Sequence, residues 1–157
     1  MVNQLCWALS ALGSARAARG EQEGAREVYE MSVQLLLDRV AVGASTPRDE
    51  RDLPLLLSNL AGFLAESGEM AKALARTAEA VDWERRAIGP DPVSDDLWVL
   101  ASLLIAFAER ACGLGFTGEA RAALDEARSL LDRPGSHSPG FLQHERDALA
   151  RVAALLA

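Results

Sequence analysis

An all-α fold built from repeated helix pairs is what this sequence predicts, on three observations. Its 157 residues include 29 Ala and 25 Leu but only 14 β-branched residues, a balance that favours helix over sheet. Apolar residues recur at helical spacing in stretch after stretch. One glycine-punctuated pattern also returns at a nearly constant interval, with Gly20, Gly68 and Gly115 separated by 48 and 47 residues. Half of the residues are hydrophobic and a quarter are charged, which is the composition of a globular chain of one-domain length.

Seven helical stretches follow from apolar spacing and punctuation. The first, near 2–19, is closed by Gly20, and the second, near 22–42, runs into the break GASTPRDE at 43–50. The third is expected over 53–67 with Pro54 in its first turn, where a missing N–H costs nothing. Gly68 separates it from a fourth at 70–88, which ends at IGPDPVSDD (88–96). Ser94 is an expected N-cap for the fifth, near 95–113, and Gly115 divides that from the sixth at 117–132. After RPGSHSPG (133–140), Ser138 as N-cap and Pro139 behind it open a terminal helix over 139–156. No stretch asks for a strand.

The formal charge is -7, distributed as -2, -4 and -1 over residues 1–50, 51–100 and 101–157. No segment carries the basic stripe needed to bind phosphate backbones or anionic lipid, so nucleic acid and membrane surfaces are not expected partners. The opening run places its charges after its apolar residues, the reverse of a secretory signal. No uncharged stretch, Leu97 to Ala108 and the longer residues 1–15 included, is long enough to span a bilayer. A cytoplasmic protein is expected.

Three units share a register with no gap inside them. The first reads Leu9, Leu12, Gly13, Arg16, Gly20, Ala25, Tyr29, Ser32; the second Leu57, Leu60, Ala61, Leu64, Gly68, Ala73, Thr77, Ala80; the third Leu104, Phe107, Ala108, Ala111, Gly115, Ala120, Leu124, Ala127. A tight helix–helix turn needs a residue that tolerates positive φ, which explains the glycine. Two antiparallel helices approach closely only where side chains are small, hence Gly13, Ala61 and Ala108 facing Ala25, Ala73 and Ala120. A lone helix pair cannot bury its own apolar face, but a stack of three can.

These residues resemble the tetratricopeptide repeat (TPR): a small residue after Leu or Phe in the first helix, Gly at the turn, Ala early in the second helix. The family unit is about 34 residues, so a period of 47–48 implies lengthened helices and linkers, as in the long-period repeats of large bacterial signalling proteins. Arg16 and Ser32 depart from the pattern, standing where apolar or small residues are usual. The resemblance implies a right-handed α-solenoid of three antiparallel hairpins (about 2–42, 53–88 and 95–132) plus the terminal helix, forming one domain over 1–157. Both ends lack a polar capping face, which leads to the expectation of a piece of a longer protein, or of an end covered by a partner.

The family's concave groove is lined by the first helix of each hairpin. Carried over residue by residue, that face comprises Trp7, Ser10 and Ser14, then Leu55, Ser58, Asn59 and Gly62, then Ser102, Ile105 and Glu109. Members that clamp a C-terminal carboxylate use Lys, Arg and Asn here; only Asn59 is present, so that mode is not expected. A small, weakly polar groove edged with acid suits an apolar or basic peptide. Trp7 reads either as an interface anchor or as core under the second helix. Asn59 reads either as a backbone-binding amide or as a local cap. Trp83 and Trp98 are expected to pack the linker 88–94.

Catalytic and cofactor signals are not found. The chain has no GxSxG, GxxxxGK[ST] or HExxH, and Gly113-Leu-Gly115-Phe-Thr-Gly118 follows a helix and contains the repeat turn, so the dinucleotide reading fails. Cys6 and Cys112, 106 residues apart, are expected as buried inert thiols, and His137 and His144 as surface residues without a metal. Charged sets at Glu79, Asp82, Glu84, Arg85, Arg86 and at Glu119, Arg121, Asp125, Glu126, Arg128 are expected on solvated faces. The expectation for function is a non-catalytic scaffold or sensor that docks a protein or peptide, working beside an effector or NTPase-type domain in cis or in trans. The alternatives are a structural, homo-oligomerising or domain-bracing role, and small-molecule sensing.

Overall fold

A computed structural model describes residues 2–88, 94–133 and 143–157. Among these residues all regular structure is α-helical: α1 (Val2–Ala18), α2 (Gln22–Ala41), α3 (Pro47–Glu66), α4 (Met70–Ala87), α5 (Ser94–Gly113), α6 (Thr117–Leu131) and α7 (Gln143–Ala154). The contacts divide into two compact units, Met1–Trp83 and Glu84–Ala157, with the boundary inside α4. No helix among the described residues is long and apolar enough to cross a membrane.

Three of the loops are the same turn. Gly20, Gly68 and Gly115 have φ of 79°, 82° and 82°. In each, the residue after the glycine donates its N–H five residues back, Glu21 to Arg16, Glu69 to Leu64 and Phe116 to Ala111, over 3.0, 2.8 and 2.9 Å. That bond closes the preceding helix with the αL cap that glycine adopts without steric cost. The same residue's carbonyl then accepts the first bond of the next helix, from Ala25, Ala73 and Ala120. One hexapeptide-scale device both ends a helix and begins the next.

In the first unit, α1 packs along α2 and both contact α3. Its core is Leu36, Leu53, Leu56, Leu57 and Leu60, with Cys6, Ala25 and Ala61 also buried. Gly13 permits the close approach of α1 to α2: a Cβ built there would lie 2.8 Å from Tyr29 Cδ2. The Tyr29 ring, not Ala25, is thus what fills the space over Gly13. Arg16, out of pattern by sequence, donates from Nη1 to the Gly24 carbonyl at 3.1 Å. Ser32 is fully buried but satisfied, its hydroxyl bonding Tyr29 O at 2.7 Å, and Thr77 does the same to Ala73 O at 2.7 Å. Leu12, read as an apolar anchor, is 42% exposed.

The third helix begins six residues earlier than expected, inside the segment taken for a break. Thr46 and Asp49 form a capping box, and Pro47 stands at the first helical position, where proline fits. Asp49 is almost fully buried; its Oδ2 accepts from Thr46 N (2.7 Å), Thr46 Oγ1 (2.9 Å) and Arg39 Nε (3.1 Å). Pro54 is therefore interior to α3, not in its first turn. It cannot donate to the carbonyl four residues back, and its ring is fully buried.

In the second unit α5 packs along α6, and α7 contacts both. Leu100, Leu103, Leu104, Ile105, Leu124, Leu131, Leu149 and Val152 are buried. Arg85 and Glu126 form an ion pair at 2.6 Å, and Arg121 Nη2 donates to Leu156 O at 2.6 Å. Ser94 is already helical, and α7 stops at Ala154. Ser138 as a cap, Pro139, His137 and the linker expected under Trp83 and Trp98 lie outside the described residues. Glu84, assigned to a solvated face, is buried, and Cys112 is half-buried where burial was expected.

Candidate functional site: a trough along α1, α2 and α3

The first unit contains two adjoining cavities that share Ser14, Tyr29 and Asn59. The larger, about 460 Å³, is lined by the last turns of α1 and α3, the start of α2 at Gln22, and the Tyr29 and Phe63 rings. The smaller, about 290 Å³, continues along α1 past Ala11 and Ser10 to Trp7. Helical periodicity explains the lining. Trp7, Ser10, Ala11 and Ser14 lie three or four apart on one stripe of α1, as do Ser58, Asn59, Gly62, Phe63 and Glu66 on α3.

The walls are braced at two points. Asn59 Nδ2 donates to Ser10 Oγ at 3.1 Å, linking α3 to α1 across the trough. Tyr29 and Phe63 stand with ring centroids 5.3 Å apart at 34°, within the range of favourable aromatic pairs. Of the groove residues expected from the sequence, Trp7, Ser10, Ser14, Ser58, Asn59 and Gly62 line this trough. Trp7 is half-buried, intermediate between the anchor and core readings. Leu55 is half-buried and lines neither cavity.

Ser102, Ile105 and Glu109 belong to α5 in the other unit. Ile105 is buried, Glu109 exposed, and the Ser102 hydroxyl oxygen is buried without a hydrogen-bond partner. The lining residues that sequence reasoning missed are Ala11 in the smaller cavity and Ala17, Ala18, Gln22, Tyr29, Phe63, Glu66 and Ser67 in the larger. Ala17, Ala18, Glu66 and Ser67 had a signal in the repeated turn, since they stand just before Gly20 and Gly68, whereas Gln22, Tyr29 and Phe63 had none.

Gly62 differs from Gly13. A Cβ built on Gly62 meets no atom within 4 Å, so nothing in the fold requires glycine there, although an interior helical glycine costs about 1 kcal/mol relative to alanine. Elsewhere the chemistry is sparse. Among the described residues no group of three or more His, Cys, Asp or Glu is placed to hold a metal, and His144 is exposed. Burial, with Asp49 and Asp52 nearby, pushes the Cys6 thiol up, which makes it a poorer nucleophile.

What fold and site define is a chain that is all-helical among its described residues and carries an open, mixed-polarity trough in its first unit. No family model matches the chain, and no curated protein does. A solved structure is similar: the crystal structure of BtubC (BKLC) from P. vanneervenii, at TM-score 0.70 and 17% identity. The match covers 99% of this chain and 57% of that one, so this chain spans little more than half of BtubC's length. At that identity the likeness concerns the fold.

Proposed function

We propose that the chain is a non-catalytic recognition module of TPR type: a right-handed solenoid of three helical hairpins plus a terminal helix, holding a protein or peptide segment in the trough of its first unit. The observation that carries this reading is positional. Six of the ten residues that the repeat resemblance assigns to a binding face, Trp7, Ser10, Ser14, Ser58, Asn59 and Gly62, line two cavities that share Ser14, Tyr29 and Asn59. The three superposable glycine turns support the hairpin architecture. The resemblance further suggests a scaffold or sensor in the bacterial cytoplasm, acting with an effector or NTPase-type domain in cis or in trans.

A displayed library of random linear nonapeptides, selected on the wild type and re-tested on Gly62→Leu combined with Asn59→Ala, tests it. The leucine projects into open space, so helical content should hold while the trough fills. Loss of the selected pool on the double variant supports a trough-binding module. Equal retention by both proteins moves the binding face elsewhere and refutes the assignment.

A further inference from the structure

We infer that the larger cavity selects a cationic side chain, the Arg or Lys of an extended peptide segment, with Glu66 as the specificity-determining residue; this rests on the trough being the binding face. Four features converge. Glu66 is exposed, lines the cavity, and has no ion-pair partner among the described residues. It is also the one charged side chain among the residues that line either cavity.

Second, the same end of the cavity is where two helices finish: Ala17 and Ala18 close α1, and Glu66 closes α3. Each helix C-terminus carries roughly half a negative charge. The N-termini of α2 and α4 follow these ends through the same glycine turn and offset them with positive ends, so the Glu66 carboxylate carries the net charge at this end of the cavity. Third, the Tyr29 and Phe63 rings form part of the wall, and aromatic walls accept the alkyl stem and cationic head of Arg or Lys. Fourth, Gly62 keeps the space open, because a Cβ there would touch nothing within 4 Å. An anionic or bulky neutral side chain would gain nothing from that carboxylate. The adjoining cavity, with Asn59, Ser10 and Trp7, then takes the neighbouring residues of the segment.

The test uses the full chain and four fluorescein-labelled nonapeptides of one Ala/Ser frame, with Arg, Lys, Leu or Glu at the centre, read by fluorescence polarisation. The wild type should prefer Arg and Lys over Leu and Glu. Glu66→Gln should weaken the cationic peptides about five-fold, the upper range of a partly exposed ion pair. Glu66→Lys should weaken them by on the order of ten-fold or more, and Glu30→Gln, an exposed carboxylate on α2 outside both cavities, should leave them unchanged. Peptides that bind irrespective of their central residue, and are lost on Gly62→Leu but not on Glu66→Gln, would overturn the cation inference while keeping the trough. Equal losses in Glu66→Gln and Glu30→Gln would also overturn it, since the attraction would then be diffuse. Binding of the peptides unaffected by Gly62→Leu, or no binding of any, would overturn the trough reading and this inference together.

Discussion

Two glycines on neighbouring helices should respond to the same substitution with opposite sign. In Gly13→Ala the new methyl would lie 2.8, 2.9 and 3.0 Å from Cδ2, Cε2 and Cγ of Tyr29, against about 3.5–4.0 Å for relaxed carbon contacts. The ring cannot retreat easily, since Tyr29 is buried and pairs with Phe63 at 5.3 Å. Overpacking of this kind costs about 1–3 kcal/mol, and three ring atoms in overlap place it near the top of that range. Alanine's better helix propensity returns about 1 kcal/mol, leaving a net loss of roughly 1–2 kcal/mol. Gly62→Ala meets nothing within 4 Å and keeps the propensity gain, so it should stabilise by up to about 1 kcal/mol. Urea titrations followed by circular dichroism at 222 nm read both, as shifts of midpoint in opposite directions at constant slope. A third protein, Gly13→Ala in a Tyr29→Leu background, should recover most of the loss, because the shorter side chain vacates the contact. Shifts of the same sign for the two single variants, or no recovery in the third, would refute the close approach of α1 to α2 described above.

Three further outcomes are expected. Burial opposes ionisation of Asp49, but the Thr46 amide and hydroxyl and the Arg39 guanidinium outweigh it and hold its carboxyl below the usual range. Its ionised form therefore contributes stability above about pH 4 that is lost as pH falls through the lower folded value. Asp49→Asn should be less stable than wild type by about 1–2 kcal/mol at pH 7, with the gap closing below about pH 4; a gap independent of pH down to 2 would refute it. Cys6 is fully buried and its thiol pushed up, whereas Cys112 is half-buried. An aromatic disulfide reagent at pH 8 should accordingly modify Cys112 in the native protein and Cys6 only on unfolding, as mass spectrometry of peptides would show. Ser102→Ala removes a buried hydroxyl oxygen that has no partner and should be neutral or stabilising by up to about 1 kcal/mol in the same urea titration; a clear loss would show that the hydroxyl is satisfied.

Helix content and most helix ends were legible in the sequence because the signals are local. Gly20, Gly68 and Gly115 each do in three dimensions what their spacing implies, since the turn they close involves only six residues. The start of α3 was misread for an equally physical reason. A run of Ser, Thr, Pro and Asp is a loop signature, yet Thr46-Pro47-Arg48-Asp49 is also a capping box with proline at its preferred position, and the box prevailed once Arg39 reached Asp49 from α2. That pairing spans the loop and leaves no trace in helical periodicity. The groove was half legible. Residues on the α1 and α3 stripes followed from the repeat resemblance, but the Tyr29 and Phe63 rings did not: Tyr29 was placed only as a repeat position, and Phe63 carried no reading of its own. Their role depends on how closely two helices lie, which Gly13 controls and no single-helix pattern reveals. Glu84 shows the same limit, buried by packing although its neighbours read as a charged face.

The three glycine turns also bear on how the chain reaches its structure. Every bond that closes them joins residues no more than five apart, so each turn can form before any distant contact exists. Loops of this length close on the order of tens of nanoseconds, and chains dominated by short-range contacts cross their folding barrier quickly. Folding could start at Gly20, Gly68 or Gly115 independently and spread outward as neighbouring helices dock. A chain still emerging from the ribosome would then form each turn as it is made, while the trough is completed only when α3, which supplies half its larger cavity's wall, docks on α1 and α2.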